Sequence, residues 1–298
     1  MIATIGIGCV LFFSGDSEPA YDGRPLSEWV VMIGVKKNPS LYTESEKEAA
    51  TEAIQAIGTN ALPHLIQWLA YEPTGLRRFV FENFQKVPNR FLRNPSVLLV
   101  TFKPLIRALG AEESFSILGP SPASAIPALT QILHSTNYSI GPRYNAVSAL
   151  ARIGPSAMTA MTNILATAPH DEQRWVLNFF ARMGTNAAPA VPALIHQVHH
   201  GDMRTAELSA ETLGTLRLVP DEAVPALIDG LADPNSRMRA AAATALGSLG
   251  SLAIIALPAL NQLETDPDQG VSRAARAAIT AITGVAPAGP DPLPIGSR

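Results

Sequence analysis

The chain has 298 residues, 47% of them hydrophobic and only 6% aromatic, with a formal net charge of -3. That apolar content suffices for a sizeable core, and the lack of a basic excess argues against a duplex nucleic-acid binder. The one cysteine, Cys9, excludes an intrachain disulfide, a Cys-based zinc site and an iron–sulfur cluster, and no cofactor is expected.

Residues Met1 to Phe13 are apolar and uncharged, and a polar stretch, SGDSEPA, follows. This is too short for a membrane-spanning helix, which needs about 20 residues. It matches the apolar core of a secretory signal, about 7–15 residues, although a basic start and a clean small-x-small cleavage site are missing. Three readings stand. The segment is a signal or anchor whose start lies upstream, or a lipoprotein signal acylated on Cys9, or an ordinary N-terminus. Against the second, Val10 to Phe13 stay apolar beyond the cysteine. The expected division is 1–20 signal or anchor, 21–43 a capping helix region, 44–284 a repeat region, and 285–298 a disordered Pro/Gly tail.

The repeat region is announced by a proline followed by an apolar run: LPHL at Leu62, IPAL at Ile126, VPAL at Val191 and Val224, LPAL at Leu257. Pro95 and Thr159 fill the two double gaps, so the anchors are Pro63, Pro95, Pro127, Thr159, Pro192, Pro225 and Pro258. A fixed period of 20–50 residues is the mark of a stacked repeat. Two residues after each anchor stand Leu65, Val97, Leu129, Met161, Leu194, Leu227 and Leu260, all apolar. Apolar residues at -1, +2, +3 and +6 from the anchor make one face of a helix. Proline suits its first position, where the missing N–H costs nothing. Each anchor therefore opens a helix B.

Upstream of each helix B runs a second helical pattern ending in an apolar residue and glycine: Gly58, Gly119, Gly154, Gly184, Gly214 and Gly250. Glycine fits the left-handed position that closes a helix. A basic column precedes these ends by ten or eleven residues: Lys47, Arg143, Arg174, Arg204, Arg239, and Arg273 before Gly284. Asp171, Asp202, Asp233, Asp266 and Asp268 stand before or near several of these A helices, where aspartate caps and favours the helix dipole.

The Arg239–Gly250 run (RAAAATALGSLG) with its following LPAL helix resembles the HEAT-repeat family, in particular the Ala-rich bacterial kind called PBS-lyase HEAT-like. The resemblance covers roughly residues 44–284. It implies an all-α fold, a right-handed α-solenoid of about seven helical hairpins, with Asp and Arg columns laddered from unit to unit. Before the repeats, YDGRPLSEWV (Tyr21 to Val30) resembles a box that follows the N-terminal membrane segment in HEAT-repeat proteins of Verrucomicrobia-like bacteria. That implies a membrane-anchored or exported bacterial solenoid with its repeats outside the bilayer. Without the resemblance, Leu26, Trp29 and Val30 read as the apolar stripe of a short capping helix.

Chemistry is sparse. His196, His199 and His200 share a helix face at i, i+3 and i+4, a possible metal geometry. They also sit at the end of a helix B, where solvated histidines suit the negative helix end, and no metal is expected there. Deoxyhypusine hydroxylases, which resemble the same fold, hold iron on His-Glu dipeptides. None occurs here, His170-Asp171-Glu172 being the nearest approach. Nucleophile elbows, Walker loops and HExxH are absent.

Charge is polarised. From Leu76 to Arg107 stand seven basic residues against Glu82 alone, among Phe79, Phe81, Phe84, Phe91 and Phe102. From Asp202 to Asp268 stand ten acidic residues against four arginines. Arg77, Arg78, Lys86, Arg90 and Arg93 are a solvated face or, functionally, a docking patch for anionic lipid or an acidic protein. The expected function is a non-catalytic protein-binding scaffold at a bacterial membrane, its partner unidentified. The alternative is a phycobilin-lyase-like enzyme or chaperone with a pocket in the concave face.

Overall fold

A computed structural model describes residues 18–35, 42–74, 78, 95–119 and 121–284, with the backbone alone at 95–101 and 121. It opens with two short strands, β1 (Ala20–Tyr21) and β2 (Arg24–Pro25), paired antiparallel. Their turn residues Asp22 and Gly23 both have positive φ, 49° and 71°. An Asp-Gly pair supplies that conformation at least cost in a two-residue hairpin. The sequence pattern gave no warning of this hairpin, because strands of two residues are too short to alternate.

Helices follow in pairs. α1 (Leu26–Gly34) precedes the stack. The hairpins are α2 (Glu44–Ile57) with α3 (Leu62–Leu69), and α4 (Pro95–Leu118) with α5 (Ile126–His134). Next come α6 (Ile140–Ile153) with α7 (Met158–Thr167), and α8 (His170–Met183) with α9 (Val191–His200). Then α10 (Met203–Leu216) pairs with α11 (Pro220–Gly230), α12 (Ser236–Leu249) with α13 (Leu257–Gln262), and α14 (Gln269–Thr283) follows.

The even-numbered helices α2 to α14 form one layer, each packed on the next. The odd-numbered helices α3 to α13 form the other, each packed on the helix that follows it. This is an all-α solenoid. No hairpin hides both faces alone, so one apolar core runs the length of the stack. The column two residues after each anchor lies at its centre: Leu65, Leu129, Met161, Leu194, Leu227 and Leu260 are all 0% exposed.

Most joints are built as the glycines require. Gly58, Gly119, Gly154, Gly184 and Gly250 all hold φ between 57° and 78°, and a short 3-10 turn then leads into the second helix after each of them. Gly214 does not close its helix. It lies inside α10, where a Cβ would fall 2.6 Å from the Ala245 Cα on α12. Its lack of a side chain serves close packing. α10 runs on to Leu216 and is closed by Arg217 in the left-handed region, with Val219 also at positive φ. Pro220 then opens α11, which leaves Pro225 inside the helix.

The second unit departs further. Pro95 opens a helix as expected, yet that helix continues for 24 residues to Leu118, through Pro104. Helix B of one unit and helix A of the next are thus one element. Gly110 is available for a turn there but is used otherwise. A Cβ on it would lie 1.9 Å from the Val30 carbonyl oxygen, and one on Gly34 would lie 2.1 Å from that of Ile106. α1 and α4 therefore cross with their backbones in contact.

Among the described residues, Ser236–Thr265 is the one helical stretch apolar enough for a membrane span. It is broken at Gly250, with φ 60°, and non-helical at Ala253, and both of its helices are packed in the stack.

Candidate binding surface

Charged pairs in the even-numbered layer join successive units at several places. Arg239 of α12 donates to both carboxylate oxygens of Asp266, before α14, at 2.9 Å each, and to the Asp233 carbonyl at 3.0 Å. The pairing holds the Asp266 carboxyl below its usual range and raises Arg239 further. Arg143 of α6 bridges to Glu172 of α8, whose side chain is only 2% exposed. Arg152 reaches back to Glu112 at 3.0 Å and Glu113 at 2.8 Å on α4. The ladder implied by the HEAT resemblance thus has rungs to the following unit at Arg143 and Arg239. Arg174 and Arg204 instead pair within their own helices, with Asp171 and Glu207.

The aspartates divide by role. Asp202 and Asp268 are N-caps, accepting from two backbone N–H groups each. Asp233 accepts from the Asn235 N–H, and Asn235 is the residue that caps α12. Asp171 lies one residue inside α8.

The box around Trp29 is a structural unit. The Trp29 indole donates to the Tyr21 carbonyl at 3.3 Å, and the Arg24 guanidinium lies 5.2 Å from its ring centre. Glu18 accepts from the Ser27 N–H and so closes the start of α1. These contacts hold the β1–β2 hairpin against α1, which itself packs on α2 and α4.

Of the basic segment, Arg77, Lys86, Arg90 and Arg93 lie outside the described residues, as do Phe79, Phe81, Phe84, Phe91 and Cys9. Arg78 is exposed. Arg107 is withdrawn from the surface: its guanidinium stacks 4.8 Å from the Trp68 ring centre, and burial lowers its pKa against the pull of Glu18. Phe102 packs beside Val31, Val35 and Ile106.

His196, His199 and His200 are exposed at the end of α9. The rings of His196 and His200 stand 4.8 Å apart, those of His199 and His200 6.1 Å. Among the described residues no three His, Cys, Asp or Glu side chains gather as metal ligands.

The odd-numbered layer carries a pattern that the period contained but that apolar columns alone did not bring out. Four residues after the anchor stand Gln67, Gln131, Asn163, His196, Asp229 and Gln262, all exposed. Leu99 occupies the same place in the irregular unit. Two residues beyond the buried leucine column is about 200° round the helix, so this column faces away from the core. Between α5 and α7 the same face holds an open groove of about 450 Å³ lined by Pro127, Thr130, His134, Thr159 and Asn163. A smaller apolar pocket of about 230 Å³ lies between α3, α4 and α6, lined by Tyr71, Pro73, Phe102 and Pro104 among others.

Residues 190–280 match the family model described as HEAT repeats. No match is found among curated proteins. Among solved structures, the chain is similar to human deoxyhypusine hydroxylase in complex with glycerol, at 19% identity over 77% of this chain and 98% of that one, TM-score 0.37. It is also similar to Kap121p bound to Nup53p, at 14% identity and TM-score 0.44. That likeness covers 88% of this chain and 34% of Kap121p, so the chain spans about a third of it. A designed armadillo repeat protein in complex with the peptide (KR)4 is similar at 15% identity over 86% and 99%, TM-score 0.33. At these identities the likeness concerns the helical-repeat fold alone.

Proposed function

We propose that this chain is a non-catalytic protein-binding scaffold. One observation carries the reading. The stacked hairpins present a long repeated face with open grooves, such as the 450 Å³ groove between α5 and α7, while charged pairs such as Arg143–Glu172 and Arg239–Asp266 join units. Repeat stacks of this kind use their extended surface for partners. The alternative, a chromophore-lyase-like enzyme or chaperone, asks for a deep cavity with convergent polar groups. The groove of about 450 Å³ is open rather than enclosed, and the most apolar pocket described is about 230 Å³, below the range of about 300–1,000 Å³ for ligand pockets.

We propose further that the apolar segment Met1 to Phe13 tethers the solenoid at a bacterial membrane. Arg77, Arg78, Lys86, Arg90 and Arg93 would then form a docking patch close to it, for anionic lipid or an acidic protein. The apolar start, the box at Tyr21 to Val30 and the charge polarity support this placement.

The test is affinity capture from native membranes with the N-terminal segment intact, followed by measurement with the purified components. A stoichiometric protein partner that binds the purified chain supports the scaffold. Recovery of a bound small chromophore in place of any protein refutes it.

A further inference from the structure

The apolar pocket between α3, α4 and α6 belongs to the irregular second unit. Its walls include Tyr71 and Pro73, just beyond α3, Phe102, Pro104 and Leu105 of α4, and Pro142 of α6. Two polar side chains that also line it are already engaged. Asn145 donates to the Leu69 carbonyl at 3.4 Å, and Ser139 donates from its N–H and its hydroxyl to Glu72 at 2.5 and 2.9 Å. The pocket therefore asks its occupant mainly for apolar surface. Exposed apolar side chains stand beside it. Leu109 follows Leu105 by one turn on α4 and is 45% exposed, and Ile140, directly before Gly141, is 64% exposed. Clustered exposed apolar groups of this kind mark a place of contact.

Two cations adjoin the same walls. Lys103 is exposed between Phe102 and Pro104 and has no ion-pair partner among the described residues. Arg107 is half-buried against the Trp68 ring, and its Nε is buried without a hydrogen-bond partner. Tyr71 and Glu18 are near enough to act on its charge, yet neither forms an ion pair with it. A partly buried cation without a carboxylate is costly to keep. The negative charge at the rim, Glu72, is held by Ser139, and Arg143, the neighbour of Pro142, is neutralised by Glu172. The surplus around the pocket is therefore positive.

We infer that this pocket anchors one bulky apolar side chain of an acidic protein segment, whose carboxylates lie over Lys103 and Arg107; this rests on the scaffold reading and specifies its partner. Size and charge carry the argument. A space of about 230 Å³ is small for a whole ligand but suits a single large side chain, and a lipid acyl chain would need a longer channel. One apolar anchor seated in a pocket and ringed by weaker contacts is how protein interfaces concentrate their affinity. Acidic neighbours of the anchor would supply the partner that Arg107 lacks, and opposite charge would speed the encounter.

The test uses the full chain and labelled peptides, read by fluorescence anisotropy. The probe is a phenylalanine flanked on each side by three aspartates. One control replaces the phenylalanine with alanine, and the other replaces the aspartates with lysines. The probe is expected to bind saturably and at least about tenfold more tightly than either control. Gly141→Leu adds bulk at the pocket wall, where a Cβ would meet nothing nearer than the Ser139 Oγ at 4.0 Å. It should reduce the probe's affinity to that of the alanine control while the melting temperature holds or rises, since leucine is the better helix former. Lys103→Glu should weaken the probe about threefold or more at low salt and less at physiological salt. Equal binding of probe and alanine control overturns the anchor, and so does saturable binding of none of the peptides. Equal binding of probe and lysine control overturns the acidic partner. Gly141→Leu that lowers the melting temperature while no peptide binds shows the pocket to be filled by the chain itself, and loss of anionic-liposome flotation in that variant assigns the pocket to lipid; either outcome overturns the proposal. The membrane capture tests the scaffold reading separately, because it uses native partners and not these peptides.

Discussion

Leu227 and Leu260 are fully buried two residues after their prolines, and neither has space to be replaced without a void. Leu→Ala at either should cost about 2–5 kcal/mol in urea melts, and a change within experimental scatter would show the register to be wrong. Gly214 offers the opposite experiment. Alanine has the better helix propensity by about 1 kcal/mol, yet its Cβ would lie 2.6 Å from the Ala245 Cα. Gly214→Ala should therefore destabilise by about 1–3 kcal/mol through overpacking, and a gain in melting temperature would contradict the close approach.

Asp266 contributes to the pH dependence, with Glu46, Asp202 and Asp268, whose carboxyls are held low as well. Arg239 holds its folded pKa below the unfolded value of about 3.9. The stabilisation is therefore complete above that unfolded value and is lost as pH falls through the folded one. Arg239→Gln should lower the melting temperature at pH 6 and flatten its decline below pH 4. Parallel curves for the two proteins would deny the pairing.

At the scale of elements, the helix starts and stops were the most legible features. Pro63, Pro127, Pro192 and Pro258 each stand at the second position of their helices, because a residue without an N–H has few other places in a helical stack. Gly58, Gly154, Gly184 and Gly250 close theirs for a similarly local reason. What the pattern misjudged depends on partners distant in sequence. Gly214 looks like a stop, yet it lies against Ala245 across the packing interface, as Gly110 lies against Val30. The run from Pro95 to Leu118 has apolar residues at every helical phase, so its period alone did not separate two helices from one. The site was legible in part. The period placed Gln131 and Asn163 at one position, but whether a polar side chain is engaged is decided by neighbours in space. Caps are local and should behave so: Asp268→Ala should cost about 0.5–2 kcal/mol, since Asp268 accepts from Gly270 at 2.7 Å and Val271 at 3.3 Å. No loss of stability would show the start of α14 to be held by other means.

For the whole molecule, the polarity of charge makes a prediction that no single residue does. With the apolar start removed, the protein should float with anionic but not neutral liposomes. Each exposed cation near such a surface contributes about 1 kcal/mol. The attraction should fade as salt rises, the Debye length being about 8 Å at physiological strength. Changing Arg77, Arg78, Arg90 and Arg93 to Glu should abolish flotation. Equal behaviour of wild type and variant would reduce the segment to a solvated face.

The glycines of α10 and α12 also have a mechanical consequence. Gly214 meets Ala245, and a Cβ on Gly247 would lie 2.9 Å from the Ala278 Cα, so along α10, α12 and α14 backbone already rests on backbone. Dispersion attraction is shallow on the outward side of such a contact, and repulsion is steep on the inward side. A load that presses these three helices together meets a hard stop, whereas one that parts them meets only a soft restoring force. The last three units therefore yield to bending in one sense and resist it in the other, as a spring with a built-in end stop does.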